Sequence, residues 1–229
     1  MTNPLKVRVP NRSALRRAVA AMALIVAAST GGCVNISAMI SKMVLGDPQI
    51  DASFKQQTGV TLDDKHPVLV FCTAPASVAD DHSSIAYDLQ KQISNRMELH
   101  KIKVIESSRI WRAVDDKGGR TDPQSLATMF PEAEYLIMIN LGGFDCVEPN
   151  SPNLLRGYAG GIMRGYAVRA SDSGRFASQI FEKEFQVEHP SHPVPRDSIS
   201  QNTFEKQFLD HLSDELGRVL YDFRTSELF

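Results

Sequence analysis

The chain has 229 residues, 42% of them hydrophobic and 23% charged, enough for one domain with a sizeable core. Residues 1–32 hold five of the 25 basic residues and none of the 27 acidic ones, so the remaining 197 carry 20 basic against 27 acidic, a formal charge of −7. That balance argues against nucleic acid as a partner and against a surface that holds anionic lipid by charge.

The head carries Lys6, Arg8, Arg12, Arg16 and Arg17, followed by an unbroken apolar run from Ala18 to Ala28 and then Ser29-Thr30-Gly31-Gly32-Cys33. A charged head, an apolar run and small residues, in that order, make a secretory signal peptide. Its positive end stays cytoplasmic while the apolar run enters the bilayer. The segment Thr30-Gly31-Gly32-Cys33 resembles a bacterial lipobox, with Thr30 where that family usually has a branched apolar residue. The resemblance implies cleavage between Gly32 and Cys33, a diacylglycerol on the Cys33 thiol, acylation of the new amine, and attachment to a membrane through that lipid. Two other outcomes stand beside it: plain signal cleavage with a soluble product, and an uncleaved anchor, because Ala18 to Ser41 carries no charge and is long enough to span.

The expected organisation is a signal peptide over 1–32, a tether over 33–64 and one α/β domain over 65–229. Gly46-Asp47-Pro48 is a turn signal, and Ser37 to Leu45 could form a short helix in the tether. Alternatively, part of this stretch packs on the domain through Ile50, Phe54 and Val60.

His66 to Thr73 contains the continuous apolar run Val68-Leu69-Val70-Phe71-Cys72, which predicts a strand buried on both faces. A helix follows from about Ser83 to Leu99, with Ile85, Leu89, Ile93 and Met97 along one side. Lys103-Val104-Ile105 reads as a short second strand. Ser107 or Ser108 then caps a short helix containing Ile110, Trp111 and Val114. Asp122-Pro123 pairs a capping residue with proline at the first helical position, and Pro131 ends that helix. Glu134 to Asn140 is the third apolar strand. Strand, helix, strand, helices, strand predicts parallel pairing with right-handed crossovers.

The pattern then changes. Ile162 to Arg169 and Phe176 to Val187 alternate apolar with polar residues, as antiparallel strands with one face in water do, and Asp172-Ser173-Gly174 between them is a hairpin turn. Leu155 to Gly161 is glycine-rich and reads as a bend or loop. His189 to Pro195 reads as a rigid extended connection. Asn202 to Phe223 is an amphipathic helix opened by a capping box of Asn202 with Glu205. The expected fold is therefore α/β: a three-layer-like β-α-β-α-β core, an added antiparallel hairpin, and the C-terminal helix packed on the mixed sheet.

Three features, Val68-Leu69-Val70-Phe71, the strand Ala133 to Ile139 and the Asp172-Ser173-Gly174 hairpin, together with the closing helix, resemble an envelope family of lipoproteins. It includes the outer-membrane activators of penicillin-binding proteins, the curli-secretion lipoprotein and the amino-terminal domain of the Tol periplasmic protein. Glu132-Ala133-Glu134-Tyr135 stands where that family often has Gly-Ala-Asp-Tyr. The resemblance covers about Pro67 to Phe223. It implies a non-enzymatic protein that binds another envelope protein or assembles, facing the periplasm or the exterior. The hairpin, alternating Phe with Glu and Lys, lacks the lipid-facing band a pore needs.

No catalytic, cofactor or metal motif stands out. His189 and His192 have metal-like spacing but sit among prolines, without the Cys or carboxylate framework of a closed site; solvated loop histidines is the plainer reading. Asp80, Asp81, His82, Ser83 and Ser84 follow the first strand, where ligand sites lie in parallel sheets. That loop is the place for the alternative function, an exported small-ligand binder or hydrolase; the plainer reading is a capped helix start. Gly142-Gly143 and Gly157 to Gly161 lack the Lys-Ser or Lys-Thr of a phosphate loop, and Trp111 reads as a core or interface residue. With Cys33 acylated, Cys72 and Cys146 are left as a pair in an oxidising compartment, either as a disulfide or as two buried thiols packed like small hydrophobes.

Overall fold

The computed structural model describes residues 47–171 and 174–228. The signal segment, Gly32, Cys33, the first part of the expected tether and the turn residues Asp172 and Ser173 lie outside the described residues.

The fold is α/β and is built on a four-stranded mixed sheet. Strand β1 (Gln49–Ile50) leads into helix α1 (Ser53–Thr58), then β2 (Val68–Thr73), α2 (Ala76–Ala79), α3 (Ile85–Leu99), α4 (Ser107–Asp116), α5 (Pro123–Met129), β3 (Tyr135–Val147), β4 (Leu154–Ser171), β5 (Gly174–Pro195), α6 (Gln201–Gly217) and β6 (Phe223–Arg224). A 3₁₀ turn over Thr225–Leu228 follows. The large sheet has the order β2-β3-β4-β5, and β1 and β6 form a separate two-stranded sheet. β2 and β3 run parallel, from Val68 opposite Tyr135 to Thr73 opposite Asn140. The pairs β3–β4 and β4–β5 are antiparallel.

Alternation along the strands splits the apolar residues into two clusters. Val68, Val70, Cys72, Ile137, Ile139 and Leu141 pack with the buried residues of α3 and α6 and with Phe54 of α1. Leu69, Phe71, Leu136 and Met138 pack with Ile110 and Val114 of α4 and with Leu126 and Phe130 at α5. The two-sided burial of β2 follows from its continuous apolar run.

The folded unit starts earlier than the expected boundary at 65. Ala52, Phe54 and Leu62 are buried, and Phe54 N–H donates to Val219 O at 2.9 Å, so residues 49–64 belong to the domain and not to a tether. Burying a phenylalanine is worth roughly 2–3 kcal/mol, which is ample reason for this segment to fold back.

Four local expectations are corrected. Lys103 to Ile105 is not a strand: only Val104 bridges Val68, because Lys101 is left-handed (φ 62°) just after α3 and Ser107 already begins α4. Leu155 to Gly161 is not a bend but the start of β4. Its glycines serve close approach: a Cβ at Gly157 would sit 2.2 Å from Phe208 Cγ, and one at Gly161 would sit 2.2 Å from Asn140 O. His189 to Pro195 continues β5, with Gly157 opposite His189 and Leu154 opposite Pro195. Proline is tolerated there because an edge strand need not donate on its open side.

The fourth correction concerns α6, which is capped by Ser200, whose side chain accepts from Thr203 N–H, and not by Asn202. It ends at Gly217, where a Cβ would meet the Tyr221 hydroxyl at 2.5 Å. By contrast, Asp122 caps α5 as its sequence predicts, accepting from Ser125 N–H. Ser171 pairs with Gly174 across the hairpin.

Candidate functional site

The loop after β2 is tied down. His82 Nδ1 lies 3.0 Å from Glu205 Oε1 on α6, its ring stands edge-on to Phe144 at 4.9 Å, and its side chain is only 12% exposed. Ser84 Oγ donates to Asp88 Oδ2 at 2.6 Å. The acid beside His82 thus comes from α6, not from Asp80 or Asp81, and the serine is engaged within its own helix. This arrangement fastens the α2–α3 loop to α6; it is not a nucleophile–base–acid relay.

His189 stacks on His211 with ring centroids 4.0 Å apart, while His192 Nδ1 pairs with its neighbour Ser191 Oγ at 3.2 Å. Burial and the adjacent His211 pull the His189 pKa below the usual imidazole range. Among the described residues no group of three His, Cys, Asp or Glu side chains converges on a point where a metal could sit.

Trp111 packs on Phe71 and Tyr87, and its Nε1–H donates to Gln90 Oε1 at 2.9 Å. Cys72 and Cys146 are buried and free, so of the two readings the sequence left open the structure holds thiols and not a disulfide. The parallel register sets Cys72 opposite Ile139, and Cys146 lies seven positions further along β3, roughly 20 Å at about 3.3 Å per residue. A disulfide needs Cα atoms within about 7 Å. Burial raises both thiols, Cys146 to about 12, so neither is a ready nucleophile.

The sheet carries a feature that residue patterns alone do not reveal. A polar row crosses all four strands: Asn140 Nδ2 donates to Thr73 Oγ1 at 2.7 Å, Arg164 Nη1 donates to Asn140 Oδ1 at 3.3 Å, and Arg164 Nε donates to Glu182 Oε2 at 2.7 Å. Gln179 Nε2 adds a bond to the same carboxylate at 3.1 Å. The bonds from Arg164 and Gln179 hold the Glu182 carboxyl below its usual range. A second group lies further along, where Arg156 Nη2 donates to Glu188 Oε2 at 2.8 Å and Tyr158 Oη to Glu148 Oε2 at 2.7 Å. Between them Gly143, Gly160 and Gly161 leave bare backbone, and two shallow clefts sharing Phe185 and Gln186 open there, of about 310 and about 370 Å³.

β5 is the edge of the sheet. On the face of Glu182 and Glu188 it also presents Glu184, which is exposed and has no partner among the described residues. Near the hairpin tip the Gln124 side chain lies along this edge: its amide donates to Arg175 O and accepts from Ala177 N–H at 3.2 Å. The Phe–Glu alternation of β5 is visible in the sequence. The register that sets Arg164 opposite Glu182, and the reach of Gln124 across some fifty positions, are not.

No family model matches this chain, and no curated protein matches it. Solved structures do. A PelC dodecamer from Paraburkholderia phytofirmans, in a single-substitution form, is 8% identical, with 76% of this chain and 97% of that one covered and a TM-score of 0.39. Lipoprotein GNA1162 from Neisseria meningitidis is 8% identical, covering 66% and 97%, with a TM-score of 0.38. Protein XCC0632 from Xanthomonas campestris is 12% identical, covering 70% and 84%, with a TM-score of 0.40. The structures this chain resembles thus include bacterial lipoproteins and PelC, all at low identity. With TM-scores below 0.5 they assign no function, which rests instead on the residues of the chain itself.

Proposed function

We propose that the chain is a non-enzymatic lipoprotein of the bacterial cell envelope, held to a membrane by lipid on Cys33, whose α/β domain meets another envelope protein. The observation that carries this reading is the order of the first 33 residues: basic head, eleven-residue apolar run, then Thr30-Gly31-Gly32-Cys33. Residues 1–32 are then its signal peptide. The compact unit that carries both sheets begins at Gln49, sixteen positions after Cys33 in the sequence. Among the described residues no helix is long and apolar enough to cross a membrane. The side chains best placed for chemistry, His82 and Ser84, are engaged in bonds that fasten elements together, which supports a binding role over catalysis.

Intact mass of the protein extracted from membranes, beside a Cys33→Ala variant, tests the anchor. The expected species is a chain beginning at Cys33 with added lipid, absent from the variant. A lipid-free mature chain, or one retaining Met1, overturns the reading.

A further inference from the structure

We propose that the open edge of β5, from Gln179 to His189, docks an extended segment of another protein carrying Lys or Arg on alternate residues. This rests on the proposed role in meeting an envelope partner and names the surface and chemistry of that contact.

Every second residue of an edge strand turns its N–H and C=O away from the sheet, ready to pair with an added strand. Gln124 shows that this edge accepts such pairing, since its side-chain amide donates to Arg175 O and accepts from Ala177 N–H as one peptide unit of a fifth strand would. Beyond it, no described residue outside β4 hydrogen-bonds to the β5 backbone until Pro195. Pro190 and Pro193 lack N–H groups and limit useful pairing to the stretch before them.

Charge selects the occupant. No register shift interrupts β5 between Phe181 and His189, so Glu182, Glu184, Gln186 and Glu188 share one face. A second copy of the chain is a poor match. Pairing two β5 strands about a twofold centred on any residue from Glu182 to Gln186 sets at least one glutamate opposite another, and like charges directly opposite are destabilising. A strand bearing Lys or Arg at alternate positions meets the unpartnered Glu184 and the outer oxygens of Glu182 and Glu188 instead.

The test uses the full-length protein in non-ionic detergent and a short peptide alternating Lys with Val, beside its counterpart with Glu for Lys. The Lys peptide is expected to bind, more weakly as salt rises, and to slow amide exchange within 179–189. Glu184→Lys, which removes no bond among the described residues, is expected to weaken binding by roughly fivefold, in line with cross-strand charge pairs. Glu98→Lys, an exposed reversal on α3, leaves it unchanged. Binding of neither peptide, equal binding of both, equal binding by Glu184→Lys, or protection confined to another surface overturns the proposal. Crosslinking in membranes that captures an envelope partner through another face overturns the edge and leaves the envelope role standing. A lipid-free Cys33 overturns the anchor and leaves the edge.

Discussion

The two edges of the large sheet solve one problem in opposite surroundings. At the β2 edge, Val68 N–H donates to Lys103 O and Ile105 N–H to Val68 O. Four residues on from Val68, Cys72 N–H donates to Gln90 Oε1 at 3.3 Å, which also takes the Trp111 Nε1–H. Gln90 is wholly buried. At the β5 edge, Gln124 also offers an amide, but it is exposed, and the strand beyond it is guarded, among the described residues, by glutamates, by prolines and by the register shift between Gln179 and Phe181. Both amides hide strand backbone, yet the first replaces water that cannot enter and the second replaces water that is always present. Burial, not bond count, therefore sets what each contributes, since an unmade bond is costly only where solvent cannot substitute.

The strongest way to break this comparison is Gln90→Ala. It strands the Cys72 N–H and the Trp111 indole N–H in a dry site and leaves a cavity, so stability is expected to fall by about 2–4 kcal/mol, read by chemical denaturation. Gln90 Nε2 has no partner among the described residues, so Gln90→Leu, which fills the space, is expected to recover part of the loss when combined with Trp111→Phe, which removes one of the two orphaned donors and leaves the Cys72 N–H. A loss below about 1 kcal/mol for Gln90→Ala, on the low side of the cavity cost alone, would mean that solvent reaches this edge after all.

Asp222, just before β6 of the small sheet, lies between the two extremes, with its side chain 17% exposed. Its Oδ1 accepts from Ala52 N–H at 2.8 Å and its Oδ2 from Lys55 Nζ at 2.8 Å, joining the β1–α1 segment to the end of the domain. Burial pushes the Asp222 carboxyl up, but the bonds from Lys55 and Ala52 outweigh it and hold the group below its usual range. The pair raises Lys55 to about 12, first through the Asp222 bond and then through Asp51. A depressed carboxyl stabilises the fold above its unfolded pKa of about 3.9, and that contribution is lost as pH falls through the folded value. Asp222→Asn is expected to cost about 1–2 kcal/mol at neutral pH. It should also flatten the fall in stability below about pH 4; an unchanged acid limb would remove Asp222 from the account.

Local chemistry was legible in the sequence, and long-range chemistry was not. Asp122-Pro123 announces its helix because a cap acts within one turn, and Val68 to Cys72 announces a two-faced strand because its apolar run is continuous. Gly157 and Gly161 mislead because their reason lies elsewhere, in the Phe208 ring and the Asn140 carbonyl that sit where a Cβ would be. Phe54 joins the core through a backbone bond to Val219, which no window of neighbouring residues contains. His82 reads as a candidate for chemistry until Glu205 arrives from the far end of the chain. The polar row exists only in the register that sets Thr73 opposite Asn140 and Arg164 opposite Glu182.

The smallest effect belongs to Gln124→Ala. Water takes over the bonds to Arg175 O and Ala177 N–H, so stability is expected to change by less than about 0.5 kcal/mol, the range of ordinary surface substitutions. The edge itself should respond: the Ala177 amide loses its acceptor, and its hydrogen exchange is expected to quicken while amides deep in β3 keep their rates. A loss near that of Gln90→Ala would mean that the hairpin tip is held in place by Gln124 and that the β5 edge is closed as firmly as the β2 edge. A small stability change with faster local exchange would instead show a cap that shields the backbone at the tip without holding up the fold, and an edge that stays available to an incoming strand.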